Sequence, residues 1–444
     1  MHVGINRTAP ADVPLRRRVG AVIAPLADRL RGNLSDPGTV LPLVLIAALA
    51  ARVVWLDFPQ HSLIFDEAYY VNAARILLGW TVEPGAHYAG ATAGLDPNTE
   101  HPPLGKLILA ASMLVFGDNG IGWRIPSVIA GMAALGAVYL IVRAAGETIW
   151  FAILVVFLLA FDNLTLVHGR IGTLDMLVLA PILVGAWLAL RDRWVLAGIF
   201  IALGMLIKLT AIYALLAILI LLAIRILAGW RRERRVRIPD VRPAVTLVVV
   251  SCGLFLAGLW GLDARYSTYA SPIDHVAHMV DYGAKLRASV DRSGICATTD
   301  SLPWEWPFNE CQITYLRVDV TVRAGDRVLS KIPSIDFRGA MNPLLASSIP
   351  LAFLFTGWMA WRRKHRLALW AIVWAAANYL PYVVLALVNH RVTYIYYFLP
   401  VIPAAAIAAA ALLTRSGLPR FVTAGFLVAF VVGFFAYFPF RTVP

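Results

Sequence analysis

The chain has 444 residues, of which 60% are hydrophobic and only 15% charged, and its mean hydropathy is +0.72. That balance excludes a soluble globule of ordinary surface composition and describes a polytopic membrane protein. The net charge of +13 does not point to nucleic acid, because the basic residues fall in short clusters between apolar runs, where they orient helices in a bilayer.

In chain order, residues 1–38 carry Arg16, Arg17, Arg18, Arg29 and Arg31 among Pro and Gly. They lack the apolar core and small-residue cleavage site of a signal peptide and read as a basic cytosolic tail. Apolar runs fit to span follow at 39–56, 124–142, 148–162, 173–190, 194–207, 209–229, 244–262, 344–361, 367–388, 392–413 and 421–439. The stretch 104–116, LGKLILAASMLVF, is too short for an easy span and contains Lys106. Laid along the outer interface, it leaves every later basic cluster on the cytosolic side: Arg143, Arg191 with Arg193, RRERRVR at 231–237, RRKHR at 362–366, and Arg415 with Arg420.

The expected fold is therefore an all-α polytopic membrane protein of about 11 transmembrane helices, N-terminus inside and C-terminus outside. A membrane module at 39–262 holds outer loops 57–123 and 162–175, a second large outer loop occupies 263–343, and the C-terminal membrane helices fill 344–444.

The first outer loop contains HSLIFDEAYYVNAAR, residues 61–75. Phe65, Tyr69, Ile76 and Trp80 follow helical spacing, which predicts an amphipathic juxtamembrane helix over 66–80 resting on the membrane surface. Asp66 and Glu67 then either cap and charge the first turn or do chemistry. Lys106, Arg170, Lys208 and Arg391 fall at the same outer boundary, as do His101, Asp162, His168 and Asp175. Each cation alone reads as a side chain snorkelling to the headgroups; together they make a polar cavity suited to a lipid phosphate. A carboxylate beside such a cavity suits group transfer from a lipid-phosphate donor. Cations stabilise the departing phosphate, and Asp or Glu takes the acceptor proton. One carboxylate is enough for an inverting displacement.

FDEAYY (65–70), HPPLGK (101–106), WRIPS (123–127), GRIGTLDMLV (169–178) and GMLIKLT (204–210) resemble the protein O-mannosyltransferases, multi-spanning glycosyltransferases of the GT-C class that use lipid-phosphate sugars. PWEWPF (303–308), MNP (341–343) and NHRVTYIYYFLP (389–400) extend the likeness, which runs in order from about 52 to 413. The resemblance implies that Asp66 is the catalytic base with Glu67 shaping the site. It also implies that His101, Lys106, Arg170, Asp175, Lys208 and Arg391 contact the donor phosphate or substrate or hold the cavity. His101 equally fits a cap on the helix after Pro102 and Pro103. Trp304, Trp306 and Phe308 read either as an acceptor groove or as interfacial anchors.

Eukaryotic members carry a lumenal β-trefoil domain that the second outer loop here lacks, so the resemblance is to the bacterial type. That loop contains Cys296 and Cys311. An oxidising outer compartment favours a disulfide between them over free thiols or a metal site. No cofactor is required by this reading, and metal dependence stays open. The implied activity is transfer of mannose from polyprenyl-phosphate-mannose to Ser/Thr of exported proteins at the outer face of the cell membrane. The partners are the lipid donor, an exported protein or glycan acceptor, and membrane lipids, with no nucleic acid. A related transferase acting on a lipid or cell-wall glycan, and a membrane transporter, are the alternatives.

Overall fold

The computed structural model describes residues 35–233, 237–288, 296, 300–324 and 327–442. It is a bundle of apolar helices: α1 (Pro37–Val53), α2 (Glu67–Leu77), α3 (Leu104–Phe116), α4 (Gly120–Ala144), α5 (Ile149–Ala160), α6 (Asn163–His168), α7 (Leu174–Leu190), α8 (Trp194–Ile207), α9 (Ile212–Glu233), α10 (Ile238–Tyr266), α11 (Pro272–Lys285), α12 (Pro343–Arg362), α13 (Arg366–Asn389), α14 (Ile402–Arg415) and α15 (Arg420–Ala436). Among the described residues, six helices are long and apolar enough to cross a membrane, and six shorter apolar helices accompany them. The protein is an integral membrane protein, with large apolar side chains such as Val428, Val432 and Phe435 left exposed on the bundle surface.

Local chemistry explains the breaks between helices. Asn119 accepts from the amides of Ile121 and Gly122 to start α4, Thr148 accepts from Phe151 N to start α5, and Asp162 accepts from Thr165 N to start α6. Asn342 starts α12 by accepting from Leu344 N, with Pro343 at the first helical position. Asn342 also donates to Phe430 O on α15 at 2.9 Å, and its amide donates to Asp162 Oδ1 at 2.8 Å. MNP and the acid before α6 therefore lock the two halves of the bundle together.

The loop at 57–123 departs from expectation in one respect. The helix over 67–77 does not lie open on a surface: Glu67, Tyr70, Val71, Asn72, Ala73, Ala74, Ile76 and Leu77 are all buried. The cause is α3, which packs against α2, α4, α7 and α8. Gly105 permits that approach, because a Cβ there would lie 2.6 Å from Leu174 Cδ2.

The loop at 263–343 holds a feature that the all-α reading leaves out. Strands β1 (Ile313–Ala324) and β2 (Arg327–Gly339) form an antiparallel hairpin. Its base is buried through Ile313, Tyr315, Ile335 and Phe337, while Val318, Val320 and Ile332 are exposed. Cys296 and Cys311 are disulfide-bonded just before it.

Candidate functional site

Asp66 precedes α2 at helical angles (φ −66°, ψ −5°) and its side chain makes no capping hydrogen bond. The helix starts instead on backbone: Tyr69 N and Tyr70 N donate to Asp66 O at 3.0 and 3.1 Å. The carboxylate is thus free of a capping duty. Burial, and next the negative charge of Asp175, push its pKa up to about 7 against the pull of Lys208.

Glu67 has the opposite character. It is fully buried; Oε1 accepts from Arg124 Nε at 2.9 Å and from Gly172 N at 2.7 Å. Oε2 accepts from Ile64 N at 2.7 Å and from Arg124 Nη2 at 3.0 Å. Every strong acceptor direction is filled, which suits Glu67 to a positioning role beside Asp66. It ties the FDE turn to the WRIPS helix start and, through Gly172, to the loop that leads into α7.

Asp175 stands in the first turn of α7. Its Oδ1 meets Lys208 Nζ at 2.7 Å, and Oδ2 is buried without a hydrogen-bond partner, 3.9 Å from His168 Nδ1. His168 Nε2 lies 2.9 Å from Tyr315 Oη. Burial holds that imidazole down to about 4, so it is neutral. Tyr315 reaches this position because Gly339 has no Cβ; one there would fall 2.4 Å from the phenol oxygen.

The four boundary cations sort into different roles. Lys106 is fully buried and paired with Asp96 at 2.6 Å, and it donates to His101 O at 2.7 Å. Arg170 donates to Ala51 O at 2.9 Å and Val54 O at 2.7 Å, with Phe440 5.0 Å from its guanidinium. Both side chains are thus engaged in holding loops, in keeping with the cavity-holding alternative for them. Lys208 is paired with Asp175 and also faces Tyr396 at 5.6 Å and Tyr397 at 5.7 Å. Arg391 differs: no carboxylate pairs with it among the described residues, and its Nε is buried without a hydrogen-bond partner.

His101 lies in the field of these cations. Burial, and then Lys208, Lys106 and Arg391, hold its pKa well below the ordinary histidine value. Its ring is 6.0 Å from that of Tyr70. Neutral His101, unpaired Arg391 and the Lys208–Asp175 pair therefore share one electropositive region adjoining Asp66.

The sequence reading did not single out the aromatic wall. Tyr394 and Tyr396 stack at 5.4 Å and both meet Tyr397 edge-on, at 5.7 and 4.8 Å, and Phe65, the residue before Asp66, stacks on Tyr315 at 4.1 Å and meets Tyr396 edge-on at 5.5 Å. The dense YIYY run was the available signal. Trp306 is not part of an open groove: it is fully buried, its Nε1 donates to Ser301 Oγ, and Trp304 and Phe308 remain exposed. Among the described residues no three His, Cys, Asp or Glu side chains converge as a metal-binding set.

Residues 100–255 match the family described as dolichyl-phosphate-mannose-protein mannosyltransferase. The polyprenol-phosphate-mannose–protein mannosyltransferase of Corynebacterium glutamicum is 29% identical over 158 residues, 34% of this chain and 29% of that protein. The Mycobacterium tuberculosis protein of the same name is 31% identical over 151 residues, 33% of this chain and 26% of that protein. The matched part thus spans under a third of these relatives' length.

Structural likeness reaches further. The S. cerevisiae Pmt1-Pmt2 complex bound to the sugar donor superposes with a TM-score of 0.61 at 10% identity, over 91% of this chain and 90% of that one. ArnT from Cupriavidus metallidurans bound to undecaprenyl phosphate gives 0.53 at 18% identity, over 88% and 62%. The chain therefore has the GT-C membrane glycosyltransferase fold, and over residues 100–255 its sequence resembles the dolichyl-phosphate-mannose-protein mannosyltransferases.

Proposed function

We propose that this protein is an inverting glycosyltransferase that moves mannose from polyprenyl-phosphate-mannose to Ser/Thr hydroxyls of exported proteins. The observation that carries the reading is Asp66, a half-buried carboxylate without a capping bond beside a region of positive charge. In the proposed step the acceptor oxygen attacks the anomeric carbon and Asp66 takes its proton. The bond from that carbon to the phosphate oxygen breaks, and the electron pair leaves on polyprenyl phosphate. Arg391, with Lys208 behind it, meets the growing negative charge. The tyrosine faces present apolar surface to the sugar ring.

The names of the matched relatives support mannose, a polyprenyl carrier and a protein acceptor. The proposed setting is the plasma membrane, with eleven spans, residues 1–38 in the cytosol, and Asp66 and the loops 57–123, 162–175 and 263–343 facing outside. Membranes containing the protein, labelled polyprenyl-phosphate-mannose and a Ser/Thr-rich peptide test this directly. Label on the peptide supports the proposal. Label only in lipid or glycan would replace the acceptor with that of the second reading.

A further inference from the structure

The hairpin β1–β2 has two unlike faces. Arg317, Asp319, Thr321 and Lys331 lie on one, where Arg317 Nε donates to Asp319 Oδ1 at 2.8 Å and Thr321 pairs with Lys331. The other carries Val318, Val320 and Ile332, with Val320 opposite Ile332. These three are 41%, 51% and 50% exposed. Nearer the turn the register shifts between Val322 and Arg323, and Val328 pairs with Arg323. An isolated two-stranded hairpin is marginal in water, and an apolar face of this length is a cost unless something covers it.

The chain at both ends of the hairpin base fixes its height. Ile335 forms a bridge with Phe440, Asp336 N donates to Pro439 O and Arg441 N to Ser334 O. Pro439 is three residues beyond the end of α15 at Ala436, and Gly339 is four residues before α12 at Pro343. Such short connectors reach roughly 10–14 Å, so the base lies in the interfacial layer just outside the hydrocarbon. Trp55, beyond α1, packs edge-on against Phe440 at 5.3 Å, and Phe438 adjoins Phe440, an aromatic group of the kind that sits at headgroup level. The lipid-facing side of α15, with Val428, Val432 and Phe435 exposed, leads directly into this base.

We infer that the hairpin lies on the bilayer, with Val318, Val320 and Ile332 turned into the outer-face lipid and Arg317 and Lys331 directed to headgroups and water. The apolar surface of α15 then continues onto β1 and β2 as one lipid contact, and the two cations sit where anionic headgroups attract them.

The test places a nitroxide label at Val320→Cys or, separately, at Thr321→Cys in the full chain with Cys252→Ala, in nanodiscs containing phosphatidylglycerol. Collision with oxygen, which concentrates in lipid, is compared with collision with a water-soluble nickel chelate, and Val432→Cys serves as the lipid-facing reference. The inference predicts that the label at 320 matches the one at 432 in favouring oxygen, whereas the label at 321 favours nickel by several-fold. Equal nickel access at 320 and 321 would overturn it in favour of an upright hairpin in water. Protection of 320 from both reagents would overturn it in favour of a protein surface, whether a second copy or a bound polypeptide. Ile332→Cys and Lys331→Cys repeat the comparison on β2 if either first variant fails to fold.

Discussion

Glu67→Gln separates positioning from chemistry at the paired acids. The side chain carries two acceptor oxygens, each receiving one backbone amide and one arm of Arg124, at 2.7–3.0 Å. Whichever way a glutamine amide turns, its NH2 faces two donors, and the Arg124 guanidinium, 1% exposed, loses its counter-charge. Breaking one member of such a buried pair costs about 3–5 kcal/mol, much of it from the uncompensated charge left behind. Thermal melting of purified protein should show a clear destabilisation, with transfer lost in proportion to the folded fraction. A double change, Glu67→Gln with Arg124→Met, should recover part of the stability because no buried charge is stranded. Wild-type melting with abolished transfer in Glu67→Gln would refute the positioning role and make Glu67 a reacting group.

Three further outcomes follow from the site. Because Asp66 titrates at about 7, its base form is lost as pH falls, so kcat/KM should drop about tenfold per unit below that value; Asp175→Asn removes a charge that raises it and should move this limb to lower pH. Arg391→Gln should raise the KM for the lipid donor by roughly 10- to 100-fold, the worth of a charge-assisted contact of about 1.5–3 kcal/mol, with melting little changed; an unaltered donor KM would remove Arg391 from the phosphate site. Arg170→Met should lower the melting temperature and leave the donor KM of the folded fraction unchanged, since its guanidinium serves Ala51 O and Val54 O; a raised donor KM at normal stability would return it to the donor.

The helical bundle was legible because a hydrocarbon solvent leaves a chain few choices: most apolar runs near span length became helices close to the expected bounds, although the run 392–413 is 3-10 helical over Ile395–Val401 and α-helical only from Ile402, and the run 244–262 begins earlier, at Ile238. Asp66 was legible as a candidate but not as a free carboxylate, because a capping acid and a catalytic acid occupy the same place at a helix start. Only the observed turn angles and absent capping bond separate them. The boundary cations could not be sorted for a related reason. Lys106 and Arg391 look alike in sequence, and the difference lies in whether a distant group, such as Asp96 for Lys106, folds back to claim the charge. The pairing of Glu67 with Arg124 joins residues 57 apart, beyond any local pattern. The hairpin was readable in principle from the alternating valines at 318, 320 and 322.

The central claim is that Asp66 removes the acceptor proton, and Asp66→Asn tests it most directly, because the amide keeps the shape and no capping bond is at stake. Peptide transfer from labelled polyprenyl-phosphate-mannose should fall by about 10²- to 10⁴-fold, the usual worth of a general base, with donor binding and melting temperature unchanged. Transfer within a few-fold of wild type would contradict the account, and so would loss of activity that merely tracked loss of folded protein.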